Sequence, residues 1–164
     1  MKRPPATRPR YQALLQLLRT SETIWNASRA FFARWELGPS QFNILNVLAG
    51  RPGGCTQMEL SRELVTHRSN VTGLIGRLEQ RGLVRRRDAV ADRRANRVTL
   101  TPAGRKLVAE ILPHYHHAAE QVWGKVSSAH VQQLVDALET LACNAERIGH
   151  DPRKDVPSQN TAHP

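Results

Sequence analysis

Apolar residues recur every three or four positions from Tyr11 to about Trp35, at Leu14, Leu17, Leu18, Ile24, Trp25, Phe31, Phe32 and Trp35. That spacing matches the turn of an α-helix and predicts one long amphipathic helix. The stretch Leu37-Gly38-Pro39-Ser40 breaks it, because Gly38 suits a C-terminal cap and Pro39 cannot continue the hydrogen-bond ladder. A second helix carries Phe42, Leu45, Val47 and Leu48 and ends at GRPGG, residues 50–54. Thr56-Gln57-Met58-Glu59 then has the capping-box pattern, in which hydroxyl and carboxylate each satisfy the other residue's amide. A short helix to about Leu64 follows from it. Val71, Leu74, Ile75 and Leu78 next form a stripe at i, i+3, i+4 and i+7, on a helix that Gly82 stops.

Past Gly82 the period changes. LVRRR and NRVTL are short extended runs separated by the polar residues 88–95, which is a hairpin pattern. Thr101 is a good N-cap, and Pro102 sits at the first helical position, where a missing N–H costs nothing. One helix runs from there to about Trp123, with Pro113 expected to kink it. A last helix, opened by Ser127 or Ser128, carries Val131, Leu134, Val135, Leu138, Leu141, Ala145 and Ile148 on one face. The fold class expected is mainly α with a small β-hairpin wing. Its middle part, two helices joined by a tight turn and followed by a hairpin, reads as a winged helix-turn-helix.

Charge narrows the partners. Lys and Arg number 24 against 14 Asp and Glu, a formal net charge of +10. Such an excess points to a polyanion, nucleic acid first and anionic membrane second. No stretch approaches the roughly 18 apolar residues a membrane span needs, and no secretory signal opens the chain. Cys55 and Cys143 are too few and too far apart for a disulfide framework or a zinc site. A cytoplasmic protein is expected. Residues 1–10 and 149–164, poor in apolar side chains, read as disordered tails.

The second helix of a helix-turn-helix enters the major groove. With Val71, Leu74, Ile75 and Leu78 facing the core, the opposite face shows Arg68, Ser69, Thr72, Gly73, Gly76 and Arg77. Short hydroxyls reach phosphates or base edges, and an arginine can grip guanine. Between Arg81 and Arg97 stand seven arginines and two aspartates. A hairpin tip of this kind places a guanidinium in the minor groove, where negative potential concentrates. Arg68, Ser69, Thr72, Arg77, Arg86, Arg87, Asp92, Arg93, Arg94 and Arg97 are therefore the candidate DNA-binding residues. Asp92 holds Arg94 extended in this reading.

The stretch RGLVRRRDAVADRRANRVTLTPAG, residues 81–104, resembles the signature of the MarR (multiple antibiotic resistance regulator) family. The shared pattern is a Gly-Leu-Val exit from the recognition helix, an Asp-x-Arg filled here by Asp92 and Arg94, and a Leu-Thr-x-x-Gly filled by Leu100, Thr101 and Gly104. The resemblance covers residues 11–148. It implies a DNA-binding lobe at 38–101 and dimerisation helices at 11–36 and 102–148. It further implies a homodimer on a pseudo-palindromic operator, usually a repressor, and a crevice that takes small aromatic effectors. Trp25, Phe31, Phe42 and Tyr115 are candidates for lining it, although aromatics at helical spacing more often form plain core. The departures are Gly73, where relatives carry a long polar side chain, and Gly76 one turn on. Each glycine costs an exposed helix roughly 1 kcal/mol relative to alanine, so either the helix is loosened or its backbone comes close to DNA.

Competing classes leave weaker traces. His114, His116 and His117 have spacings acceptable for a metal, but no second ligand cluster accompanies them, so no metal or cofactor is expected. No Ser/His/Asp, paired-carboxylate or phosphate-loop arrangement suggests an enzyme. A winged-helix module that binds protein and has lost operator recognition is the alternative; the glycine-bearing helix supports it, and the basic wing argues against it. The expected partners are double-stranded DNA, a second copy of the chain and a small effector, with no membrane.

Overall fold

A computed structural model describes residues 9–64, 68–89 and 92–150, with the backbone alone at 68, 69, 88, 89, 92–96, 149 and 150. Six helices and three strands follow in the order α1 (Pro9–Ala33), α2 (Pro39–Ala49), β1 (Cys55–Thr56), α3 (Gln57–Glu63), α4 (Arg68–Gln80), β2 (Val84–Ala89), β3 (Asp92–Leu100), α5 (Pro102–Trp123) and α6 (Ser128–His150). Helix α1 begins two residues before the expected start and α6 ends two residues after the expected end. The remainder of both expected tails, residues 1–8 and 151–164, lies outside the described residues.

The break after α1 forms differently from the sequence expectation. Glu36 takes the left-handed conformation, with φ of 55°. Gly38 instead caps the start of α2 in an extended conformation, and Pro39 follows at the first helical position. Two carbonyls of this turn, those of Glu36 and Trp35, accept from the Arg81 guanidinium at 2.6 and 3.0 Å. The C-terminal end of α4 is thereby tied to the α1–α2 turn.

Thr56 and Glu59 form the expected capping box: the Thr56 amide donates to Glu59 Oε2 at 2.7 Å, and the Glu59 amide donates to Thr56 Oγ1 at 3.2 Å. Gly82 ends α4 with φ of +68°. At the start of α5 the Thr101 hydroxyl accepts from the Gly104 amide at 3.0 Å and donates to the Gly82 carbonyl at 2.6 Å. Pro113 lies inside α5, which continues as one helix to Trp123.

The sheet order is β1-β3-β2, antiparallel throughout. Cys55 pairs with Val98 and Thr56 with Arg97, so these two residues form a short strand. Val84 faces Leu100, Arg86 faces Val98, Arg87 faces Arg97, and the register shifts between Arg87 and Ala89.

The chain divides into two compact units, one reaching through Tyr115 and one starting at His116. In the first, Phe42, Ile44, Leu45, Leu60, Val71, Ile75, Leu78, Val84, Val98 and Ile111 form a core that joins α2, α3, α4, the sheet and the start of α5. Gly54 passes so close to β3 that a Cβ would strike the Val98 carbonyl, and its φ is +75°. In the second unit no described residue is buried, and Leu134, Val135, Leu141 and Ile148 stay exposed.

Candidate nucleic-acid interface

Helix α4 buries Val71, Leu74, Ile75 and Leu78, as its stripe dictates. Its other face shows Asn70, Thr72, Gly73 and Arg77 exposed, and Gly76 half-buried. A Cβ added at Gly73 or Gly76 would meet no atom within 4 Å, so neither glycine is required by packing inside the chain. Arg68 and Ser69 are the first two residues of α4, and their side chains lie outside the described residues. The same holds for Asp92, Arg93 and Arg94 at the start of β3, for which only the backbone is described.

Strand β2 presents Arg85, Arg86 and Arg87, all exposed. Side chains alternate along a strand, so Arg86 shares its face with the buried Val84, and Arg85 and Arg87 point to the other. On its own face Arg86 meets α4. Its amide donates to Glu79 Oε1 at 3.2 Å, and its Nη1 stands 3.3 Å from Glu79 Oε2. One carboxylate at the C-terminal end of α4 therefore holds both the backbone and the side chain of β2.

Arg97 is held as well. Its Nε donates to the Gly53 carbonyl at 3.0 Å and its Nη2 to the Gly54 carbonyl at 2.5 Å. The same Nη2 lies 3.7 Å from Glu59 Oε2. Next to this joint Arg51 pairs with Glu63 and places Nη1 3.6 Å from Cys55 Sγ. The Thr56 amide holds the Glu59 carboxyl below its ordinary range, with smaller help from the Thr56 hydroxyl, Arg97 and Arg51 and against partial desolvation.

Sequence reasoning placed Arg77, Arg86, Arg87 and Arg97 among the candidates without foreseeing the partners of Arg86 and Arg97. Arg85 was not singled out, although it projects from β2 beside them. Glu79 was missed because nothing in a helical pattern tells a solvated glutamate from one that a following strand will cross. Glu59 was read only as a cap, which its second role does not alter.

An open hollow of about 470 Å³ lies between α1, the start of α2 and α4, with Trp25, Arg29, Leu37, Leu74 and Arg77 in its wall. The other aromatics of interest pack elsewhere. Phe32 stacks on Phe42 at 4.5 Å between ring centroids, and Tyr115 lies 5.3 Å from Phe42 and 6.0 Å from Phe31. Of the four aromatics named as candidates for an effector crevice, only Trp25 borders the hollow. His114 stands 6.0 Å from the Trp35 ring, and among the described residues no three His, Cys, Asp or Glu side chains gather as a metal-holding group.

Comparison with known proteins agrees with this architecture. The model of the MarR family matches residues 35–95, from the α1–α2 turn to the start of β3. The transcriptional regulator HosA of Escherichia coli O111:H- is 32% identical over 118 residues, covering 69% of this chain and 86% of HosA. The chain belongs to the MarR family.

Among other matches to this MarR-family chain, the transcriptional repressor MprA of Escherichia coli K12 is 32% identical over 93 residues, 57% of this chain. The chain spans only about half, 53%, of the length of MprA. The repressor CouR, from Rhodococcus jostii RHA1, solved on a 23-mer DNA duplex, matches with a TM-score of 0.68 and 26% identity, over 77% of this chain and 89% of CouR. BpsR of Bordetella bronchiseptica, whose DNA binding is regulated by 6-hydroxynicotinic acid, matches with a TM-score of 0.64 and 27% identity, over 77% of this chain and 98% of BpsR.

Proposed function

We propose that this chain is a DNA-binding transcriptional regulator, a homodimeric repressor that reads a pseudo-palindromic operator and responds to a small aromatic acid. The observation that carries the reading is the placement of an arginine-bearing hairpin directly after a helix whose outer face is small, polar and open. Helix α4 supplies Thr72 and Arg77, with Arg68 and Ser69 at its start, for the major groove. The wing supplies Arg86, Arg87, Arg93 and Arg94 for the minor groove, with Asp92 beside them in the sequence. CouR on its DNA duplex supports the assignment by likeness.

The exposed apolar side chains of α1 (Tyr11, Leu14, Leu18) and of α6 (Leu134, Val135, Leu141) fit a second copy of the chain. Two-fold symmetry would then set two α4 helices on half-sites about one DNA turn, roughly 34 Å, apart. Effector response is supported by likeness to BpsR and by the hollow at Trp25. Its wall offers an indole ring for stacking and two guanidinium groups, of Arg29 and Arg77, for a carboxylate. Arg77 sits on α4, so an occupant of the hollow would act directly on the helix that reads DNA.

Selection of bound sequences from a random duplex pool at near-physiological salt tests the reading, with Arg94→Ala protein in parallel. A palindrome recovered by the wild type and bound about tenfold or more weakly by Arg94→Ala is the expected result. Recovery of no sequence, with only weak salt-sensitive binding, would remove operator recognition and favour the protein-interaction module. Equal affinity of mutant and wild type would remove the wing from the contact.

A further inference from the structure

Seven arginines between residues 81 and 97 look alike in the sequence, as one cationic patch. Their surroundings separate them. Arg97 stands directly across from Arg87 on the neighbouring strand. Like charges in that position repel, and an arginine with no other partner would be pushed toward solvent. Arg97 instead lies back across the root of the hairpin. Its Nε and Nη2 reach the successive carbonyls of Gly53 and Gly54 at 3.0 and 2.5 Å, and Glu59 stands beside Nη2 at 3.7 Å.

The joint it spans is built for close approach. Gly54 has no room for a Cβ against the Val98 carbonyl, and the adjacent Cys55 and Thr56 make the two pairs that attach β1 to β3. Two carbonyls in succession need two donors at a fixed angle, which the guanidinium fork supplies and a lysine ammonium does not.

From this geometry we infer that Arg97 is a positioning residue: it clamps β3 to the Gly53–Gly54 turn and to α3, and so sets the reach of the wing tip that carries Arg94. The inference rests on the proposed reading of the wing as a DNA contact. Arg97 itself touches no DNA in this assignment. It acts on affinity through Arg94, three residues nearer the tip on the same strand. The capping box of Glu59 gives the clamp a second anchor, because the carboxylate that faces Arg97 is already fixed by the Thr56 amide.

A double-mutant cycle on the selected operator separates this role from a direct contact. Arg97→Lys keeps the charge, so a residue that only neutralises a phosphate should tolerate it. The clamp predicts a loss of affinity of about tenfold for Arg97→Lys alone and of less than about twofold in the Arg94→Ala background. Equal losses in both backgrounds, or no loss at all, would overturn it. Glu59→Gln offers a test of opposite sign. Glutamine preserves the capping box, and removal of a negative charge near DNA should tighten binding by electrostatics alone. The clamp predicts binding weaker by about two- to threefold, and tighter binding would sink its carboxylate arm.

Amide hydrogen exchange on the DNA-free protein reads the clamp without any operator. Arg97→Lys should speed exchange at Gly54 to Thr56 by about tenfold while leaving α2 and α4 unchanged. Unchanged exchange at the joint would refute the clamp even if DNA affinity fell. Should Arg94→Ala bind like the wild type, the DNA reading of the wing tip fails, and the exchange result alone decides whether Arg97 holds the joint.

Discussion

In α4, Val71, Leu74, Ile75 and Leu78 are spaced three, one and three residues apart, and all four are buried. In α6, Val131, Leu134, Val135, Leu138 and Leu141 follow the same rhythm, yet Leu134, Val135 and Leu141 remain 42%, 39% and 47% exposed. Helical period is therefore the same in both regions and burial is not. The period fixes which side chains share a face; it does not say what covers that face. For α4 the cover comes from α2, α3 and β2 in the same unit. For α6 Val131 and Leu138 are only half-buried and the rest of the stripe is open, so the stripe fits a covering partner, here proposed to be a second copy.

The sharpest way to break that comparison is to damage the core that covers α4 and the open stripe of α6, and compare the consequences. Phe42, fully buried and stacked on Phe32, stands for the core. Phe42→Ala should cost about 3–5 kcal/mol in thermal or denaturant unfolding, because the cavity cannot collapse among rings on several sides. Leu134→Glu with Leu141→Glu stands for α6. In a lone chain these surface changes would stay within about 0.5 kcal/mol of neutral. In the proposed homodimer they place charge where apolar side chains meet their counterparts, and sedimentation should show monomers with operator binding lost. A double mutant that still sediments as a dimer would remove α6 from the interface.

The contrast sharpens further on α4 itself. Gly73 is exposed in the helix and meets nothing where a Cβ would stand. Gly73→Ala should therefore raise the stability of the free protein by roughly 1 kcal/mol. Operator affinity then tells whether the gap serves DNA. A weaker complex from a more stable protein means that the α4 backbone approaches the duplex too closely for a methyl group. An unchanged complex means that the glycine only loosens the helix.

Much of this was legible before any coordinates. The two capping devices, Thr56 with Glu59 and Thr101 before Pro102, carry their geometry in the residue types, and both form. The wing was legible because the period changes abruptly from helical to alternating. Cys55 and Thr56 were not read as a strand, since two residues have no period to detect. Gly38 was assigned to the wrong helix end, because Leu-Gly-Pro-Ser suits an N-cap as well as a C-cap and the left-handed turn fell on Glu36 instead. The arginines show the limit most plainly. Arg81, Arg86 and Arg97 carry the same charge as their neighbours, yet each is engaged by a carbonyl or carboxylate contributed from elsewhere in the chain. Composition reports charge; only the fold reports which charges are already answered.

The smallest effect expected concerns one of those answers. The Thr56 amide, more than any other neighbour, lowers the Glu59 carboxyl from its ordinary 4.5. A carboxyl depressed by folding adds stability at all pH values above its unfolded value, and that contribution fades as pH falls through the lower folded value. The Glu59 contribution to the stability of the free protein should thus stay constant from neutral pH down to about that ordinary value. Below it, wild type and Glu59→Gln should converge, since protonation removes the same charge that the substitution removes. Glu59 is partly exposed and screened, so the difference between the two curves should be small. A gap that widens as pH falls would mean that the carboxylate is not what steadies α3 and the root of the wing.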